Sequence, residues 1–130
     1  MGSVFSRIVK MELPSFRIRE NERFLAFLDI RPVRPGHTLV VTKEEVDHFF
    51  DMSEDLLQEI LVFAQPISHA LKTVTGCERV AAVVAGFDVP HAHLHLIPAS
   101  SMSDLDFRQQ TPATSPELSA MAEKIREALA

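Results

Sequence analysis

The sequence predicts an α+β domain: a mainly antiparallel sheet of about five strands, with one long helix, a short N-terminal helix and a C-terminal helix. Three observations carry this. Five short runs, at 16–20, 24–28, 37–42, 80–85 and 91–97, have strand character, and all but the third end at Pro, Gly, Asn or Asp. One long stretch between Asp51 and Gly76 repeats apolar residues at helical spacing. The elements follow in the order helix, strands, helix, strands, helix.

Val4, Phe5, Ile8 and Val9 have helical spacing, and Pro14 limits that first helix. Phe16-Arg17-Ile18-Arg19-Glu20 alternates as a strand does, and Asn21-Glu22 turns the chain. Phe24 to Leu28 is a strand ending at Asp29; two prolines and a glycine make Arg31 to Gly36 a loop; His37 to Thr42 is β-branched and reads as the next strand. Asp51 or Ser53 can cap the long helix, whose apolar positions are Leu56, Leu57, Ile60, Leu61, Ala64, Ile67 and Leu71. Pro66 is expected to bend it and Gly76 to end it. Val80 to Ala85 reads as a buried strand broken by Gly86, and His91 to Ile97 as the last strand. Ser100 to Thr114 is polar and irregular. Ser115 at the cap and Pro116 at the first position then start a helix with an apolar stripe of Leu118, Met121, Ile125 and Leu129.

A chain of 130 residues with 46% hydrophobic and 24% charged residues fits one soluble domain with a sizeable core. The core is expected over about 3–98, with the C-terminal helix at about 115–129. A net charge of −5 argues against a nucleic-acid scaffold but leaves room for a nucleotide ligand. No run approaches the roughly 18 apolar residues that cross a bilayer, and no secretory segment opens the chain. The single cysteine, Cys77, excludes an intrachain disulfide and fits a reducing cytoplasm. Met1-Gly2-Ser3-Val4-Phe5-Ser6 matches the short N-myristoylation pattern; the helical spacing of Phe5 and Ile8 assigns that segment to a packed helix instead.

His91, His93 and His95 alternate with Ala92, Leu94 and Leu96. In a strand the imidazoles share one face and the apolar residues the other. Half of the six histidines fall in these five positions. Two chemistries suit such a face. One is metal binding, but alternate Cα atoms lie roughly 6.5–7 Å apart, so three in a row splay from a single ion. A further ligand would come from His37, His48, His69 or a carboxylate. The other is nucleophilic attack on phosphorus by a neutral imidazole whose second nitrogen is held by an acceptor. His93, with a histidine on either side, is the natural nucleophile.

The stretch His91-Ala92-His93-Leu94-His95-Leu96-Ile97 resembles the His-φ-His-φ-His-φ-φ signature of the histidine triad (HIT) superfamily. Ser3 to Val9 with Glu12 to Ser15, Leu25 to Ile30 followed by Pro35 to Val41, and Ala85 to Pro90 resemble further blocks of that family, in its order. The resemblance implies a HIT-like fold and a nucleotide hydrolase or nucleotidyl transferase acting at a nucleoside α-phosphate, of phosphoramidase or dinucleoside polyphosphate hydrolase type. It implies His93 as nucleophile, His95 as a phosphate-contacting histidine, and His91 and His37 as supporting residues. Asp29 matches the carboxylate that accepts ribose hydroxyls, and Phe5, Ile8, Phe27 and Ile30 the walls of the base pocket. Backbone around Gly86, Asp88 and Val89 matches the phosphate cradle. The ligand implied is a purine nucleotide or nucleotide conjugate, with no cofactor, in a homodimer.

The chain departs from the family pattern at several places. Many bacterial relatives carry Cys-x-x-Cys where Ser3 and Ser6 stand and a histidine where Glu45 stands; with His91 those residues would form a structural zinc site. Serine is a poor zinc ligand, so no structural zinc is expected. Ala81 or Ala82 occupies the region of an asparagine and Phe87 the place of a glutamine, which leaves the leaving group open. His48 and His69 read as surface or packing residues. The expected chemistry is attack by His93 on the α-phosphorus, with a protonated neighbour assisting the leaving group, followed by hydrolysis of the nucleotidyl-histidine. The alternatives are a nucleotide-binding sensor with little catalysis and a metalloprotein using the histidine row.

Overall fold

A computed structural model describes residues 2–130. Met1, and with it the start of the myristoylation pattern, lies outside the described residues. The elements are α1 (Val4–Val9), β1 (Arg17–Glu20), β2 (Phe24–Leu28), β3 (Thr38–Thr42), α2 (Glu54–Thr75), β4 (Arg79–Val83), β5 (His93–Ala99) and α3 (Ser115–Leu129). The strands form one antiparallel sheet in the order β1-β2-β3-β5-β4. No helix of the described residues is long and apolar enough to cross a membrane.

Period-2 alternation divides the sheet into two faces. Phe24, Ala26 and Leu28 of β2, Val40 of β3, and Leu94 and Leu96 of β5 face α2 and α3, where Leu56, Ile60, Ile67, Leu71, Leu118 and Ile125 complete the main core. Each such fully buried side chain contributes on the order of 1.5–3 kcal/mol. The opposite registers, Leu25, Phe27, Leu39 and Val41, pack with Phe5 of α1 into a smaller cluster. His93 and His95 belong to that second face.

Ser53 caps α2, its side chain accepting from Leu56 N, and Gly76 ends the helix in the left-handed region at φ 70°. The helix runs on through Pro66. Gly36 is required twice over: it has φ 94°, and a Cβ there would meet Leu71, Thr75 and Pro98 at 3.2–3.3 Å. That tight turn delivers His37 into the sheet.

Four details differ from the expectation. β4 is half-exposed rather than buried, because it is the outer strand next to β5 and has no further neighbour. Its small residues, Ala81 and Ala82, gave it a buried look. β5 begins at His93; His91 precedes it, bonded to Val89 O and Thr42 O instead of to a ladder partner. The cap of α3 is Thr114, with Pro116 second in the helix, because Glu117 closes a capping box with Thr114. The segment 100–114 contains two 3-10 turns, Met102–Leu105 and Phe107–Gln109.

Candidate active site

The histidine row stands on the α1 side of the sheet, and the structure brings all four predicted histidines together there. His37, His91, His93 and His95 are buried. Burial makes each ring nitrogen's partner decisive, because an unsatisfied buried polar group costs about 1–3 kcal/mol.

His93 Nδ1–H donates to the carbonyl of His91 at 2.6 Å. That bond fixes the tautomer and leaves Nε2 with its lone pair. His37 Nδ1 accepts from Val33 N–H at 3.0 Å, so its proton is on Nε2. Nε2 therefore donates to His95 Nδ1 at 2.9 Å, which places the His95 proton on Nε2. The result is a directed chain: Val33 N–H to His37, His37 to His95, and one free N–H on His95 beside a free lone pair on His93. The rings of His93 and His95 meet edge to face with centroids 5.0 Å apart.

All three imidazoles are held neutral. Burial lowers His37 to about 3, with the neighbouring histidines adding to the effect. Burial lowers His95 to about 4, against an opposing pull from Asp88. His93 is lowered as well, first by burial, while its bond to His91 O and the charge of Asp88 oppose. Burial thus works against the protonated neighbour expected from the sequence. For His93 and His95, desolvation outweighs the pull of Asp88.

Asp29 lies at the end of β2, its carboxylate 3.7 Å from His37 Nε2 and accepting from Arg31 N–H at 2.9 Å. Burial raises its pKa, the Arg31 N–H and charge oppose, and the charge of Asp88 adds to the rise. Asp29, His37 and His95 offer three ligand atoms within 4.8 Å of one another. A cation there would have to take Nε2 of His37 while Val33 holds Nδ1, which demands an imidazolate. The trio is thus a hydrogen-bond relay and not a fitting metal site.

Phe5, Ile8, Phe27, Asp29 and Ile30 line one cleft of about 310 Å³ together with Val4, Leu13, Pro14 and Leu39. Its wall is almost wholly apolar, with Asp29 as the charged group. Ile30 stands on the rim, 60% exposed, where it was expected simply as a wall. Phe5 joins cleft and histidine row: its ring contacts Phe27 at 5.7 Å and His93 at 4.9 Å.

Gly86 turns the chain out of β4 with φ 85°. Gly86 and Asp88 are exposed and Val89 is half-buried against the Phe5 cluster. Gly86 also lines a small cavity of about 180 Å³ that reaches His93 from the side of Asp47 and His48. Phe87 is 95% exposed and contacts none of the four histidines through its ring. His48 and His69 lie at the surface, as expected.

His91 does a different job. Its Nε2–H donates to Thr42 O at 2.7 Å, and its Nδ1 accepts from the Ser3 hydroxyl at 2.6 Å. Ser6 Oγ donates to Glu45 Oε1 at 2.6 Å, and Ser3 N–H donates to the same oxygen at 2.7 Å. Ser3 Oγ also caps α1 by accepting from Ser6 N–H. The residues that stand where the family resemblance implies zinc are thus two hydroxyls, one carboxylate and one imidazole, already bonded to one another. That set does not fit structural zinc. The hydrogen bonds themselves dock α1, and so Phe5, against the site.

Sequence reasoning missed Phe107. It comes from the segment read as irregular, yet its ring lies 5.0 Å from His95 and 6.2 Å from His37. The one signal available was an isolated aromatic in a polar stretch.

Comparison with known proteins agrees with this geometry. The HIT domain model matches residues 10–102. An uncharacterized HIT-like protein of Borreliella burgdorferi is 34% identical over 113 residues, covering 82% of this chain and 81% of that one. The adenosine 5'-monophosphoramidase of Saccharomyces cerevisiae is 33% identical over 96 residues, covering 73% of this chain and 61% of its own length. The crystal structure of a HIT-like protein involved in cell-cycle regulation from Bartonella henselae superposes with a TM-score of 0.86 at 27% identity, over 97% of this chain and 95% of that one.

Proposed function

The chain belongs to the HIT family of nucleotide-processing hydrolases and transferases, and from that premise we propose that it is a cytoplasmic homodimer that hydrolyses nucleoside 5'-phosphoramidates through a nucleotidyl-histidine on His93. One observation carries the reading: the His93 Nδ1–H bond to His91 O, which leaves Nε2 free as a neutral nucleophile.

In the first step the Nε2 lone pair forms a bond to the α-phosphorus. The P–N bond to the leaving amine breaks, and the amine departs with a proton carried in by the substrate or by water. The His95 Nε2–H donates to a phosphoryl oxygen, with the backbone around Gly86, Asp88 and Val89 as further donors. In the second step water attacks phosphorus, the P–Nε2 bond breaks and its electron pair returns to His93. The proton of the attacking water goes to solvent, and nucleoside monophosphate is released. The base occupies the Phe5–Phe27 cleft, and Asp29 accepts the ribose hydroxyls.

The charge distribution supports an amine as leaving group. Asp88 is close enough for its charge to act on His93, His95 and Asp29. A carboxylate there repels a departing polyphosphate and favours an amine that leaves as a cation. The yeast relative, named a monophosphoramidase, agrees with this. The test is turnover of nucleoside 5'-phosphoramidates, aminoacyl adenylates and dinucleoside polyphosphates side by side. We expect kcat/KM for a phosphoramidate to exceed that for a dinucleoside polyphosphate by about tenfold or more, a difference of roughly 1.4 kcal/mol. Equal rates would sink the amine assignment.

The dimer rests on β4. It is an outer strand with a free backbone edge, and the exposed Val84 and Phe87 follow it. Such an edge is a liability unless covered, and two-fold pairing is the simplest closed solution. Light scattering should give twice the chain mass, and a monomer mass throughout the micromolar range would overturn this assignment.

A further inference from the structure

Phe5, His93, His95 and Phe107 form one row of rings, each nearly perpendicular to the next. The successive centroid distances are 4.9, 5.0 and 5.0 Å, and the angles 80°, 68° and 81°. Phe5 closes the row at the cleft end. Phe107 closes it at the other.

The backbone fixes Phe107 in that place. Asp106 caps its 3-10 turn by accepting from Arg108 N–H at 2.9 Å and clasps the Arg108 guanidinium. Gln110 Nε2 donates to Arg31 O at 3.0 Å, and Ala113 N–H to Ile30 O at 3.0 Å. The strap 106–113 is therefore stitched to the loop that carries Asp29 and Ile30. Its one aromatic ring is turned inward, over the His37–His95 hydrogen bond.

We infer that Phe107 is a positioning residue of this active site, whose ring keeps water from the His37–His95 hydrogen bond and so keeps the His95 Nε2–H aimed at the phosphoryl group. A hydrocarbon ring can neither donate to nor accept from the imidazoles. Beside it, His95 Nδ1 has one partner, His37. Water in the same place would compete for that nitrogen and lower the cost of protonating it. Protonation of His95 puts a hydrogen on Nδ1, where it opposes the Nε2–H of His37. The pair then separates and the free N–H swings away.

The charged groups facing the pair are Asp29, 3.7 Å from His37 and partly offset by the charge of Arg31, and Asp88, whose charge reaches His95. On the strap, Asp106 and Arg108 neutralise each other; outside it, Arg34 pairs with Asp104 at 3.5 Å. With Phe107 gone, water reaches the pair and the pull of Asp88 on His95 is less opposed by burial. Both histidines would rise from about 4 and about 3 toward the ordinary value.

The inference rests on the proposed function for its kinetic readout only; a second readout is independent of turnover. In Phe107→Ala, phosphoramidate kcat at pH 6 should fall roughly fourfold, less at pH 8, with KM held within about threefold by the cleft and Asp29. The acid limb of the kcat profile should move to higher pH. Phe107→Leu, which refills the volume, should restore most of both. Imidazole NMR should show His95 titrating more than about one pH unit higher in Phe107→Ala than in wild type. Phe107→Val gives the same comparison if the alanine variant does not fold. An unchanged profile and unchanged titration overturn the inference. So does a rise in KM at constant kcat, which would make Phe107 a substrate wall, or an equal loss in Leu and Ala at every pH, which would make it purely structural. If wild type turns over no phosphoramidate, the functional reading fails and the NMR comparison still decides Phe107.

Discussion

His93→Ala should abolish turnover, by roughly 10⁴-fold or more, while nucleoside monophosphate binds within about threefold of wild type. The separation follows from where the energy of each process resides. Under the proposed function, binding draws on the apolar cleft lined by Phe5, Phe27 and Asp29. Bond-making draws on one atom, His93 Nε2, whose lone pair is exposed by the bond of Nδ1 to His91 O. Alanine removes that atom and leaves the cleft walls in place. His95→Ala should cost less, about 10²–10³-fold, because it removes one donor to the phosphoryl oxygens and leaves the nucleophile. Steady-state kinetics with calorimetric titration of the monophosphate measures both. Rapid quench and intact mass should also show a nucleotidyl adduct in wild type and none in His93→Ala. Retention of the wild-type rate by His93→Ala would refute the covalent mechanism outright.

The alternation His91-Ala92-His93-Leu94-His95-Leu96 carried much of this in plain view. A period of two on one strand dictates that Leu94 and Leu96 enter the main core and that His93 and His95 stand opposite. The cleft walls, Phe5, Ile8, Phe27 and Ile30, came from the family resemblance alone; without it, apolar residues beside a strand-ending Asp29 read as core. The misses have physical causes. Ala81 and Ala82 look buried in a sequence because small residues suit cores, yet strand order in a sheet is set by long-range pairing, and β4 falls at the edge. The tautomers depend on the partners of single nitrogens, such as Val33 N–H on His37, which no local pattern encodes. Ser3, Ser6 and Glu45 read as lost zinc ligands; that they bond to one another and to His91 required the fold to show. Phe107 was invisible because its segment has no periodicity at all, and its place over His95 is fixed by bonds to Arg31 and Ile30, some 80 residues away along the chain.

Taking the protein from pH 7 to about pH 4.5 should destabilise it markedly, on the order of 3–5 kcal/mol. His37 is entirely buried and lowered to about 3, His95 is buried and lowered to about 4, and His93 is lowered too. In the unfolded chain each returns to about 6.5. Between those limits the unfolded state binds more protons than the folded state, so stability rises with pH. The stabilisation these groups confer is complete above about pH 6.5 and is lost as pH falls through 6 toward 4. A tenfold difference in proton affinity between the folded and unfolded chain corresponds to about 1.4 kcal/mol for each group. His37 and His95 share a hydrogen bond and titrate as a pair, so their contributions do not simply sum. Asp29, raised by burial, opposes weakly, since an acid with a raised folded value gains relative stability as pH falls. Urea denaturation at intervals from pH 7.5 to 4 gives the slope directly. His37→Asn keeps an acceptor toward Val33 N–H but removes the titrating group; it should flatten the curve while lowering stability at pH 7. A wild-type stability that stays level across this range would mean that the histidine row is wetter, and its rings more readily charged, than the buried chain from Val33 through His37 to His95 requires.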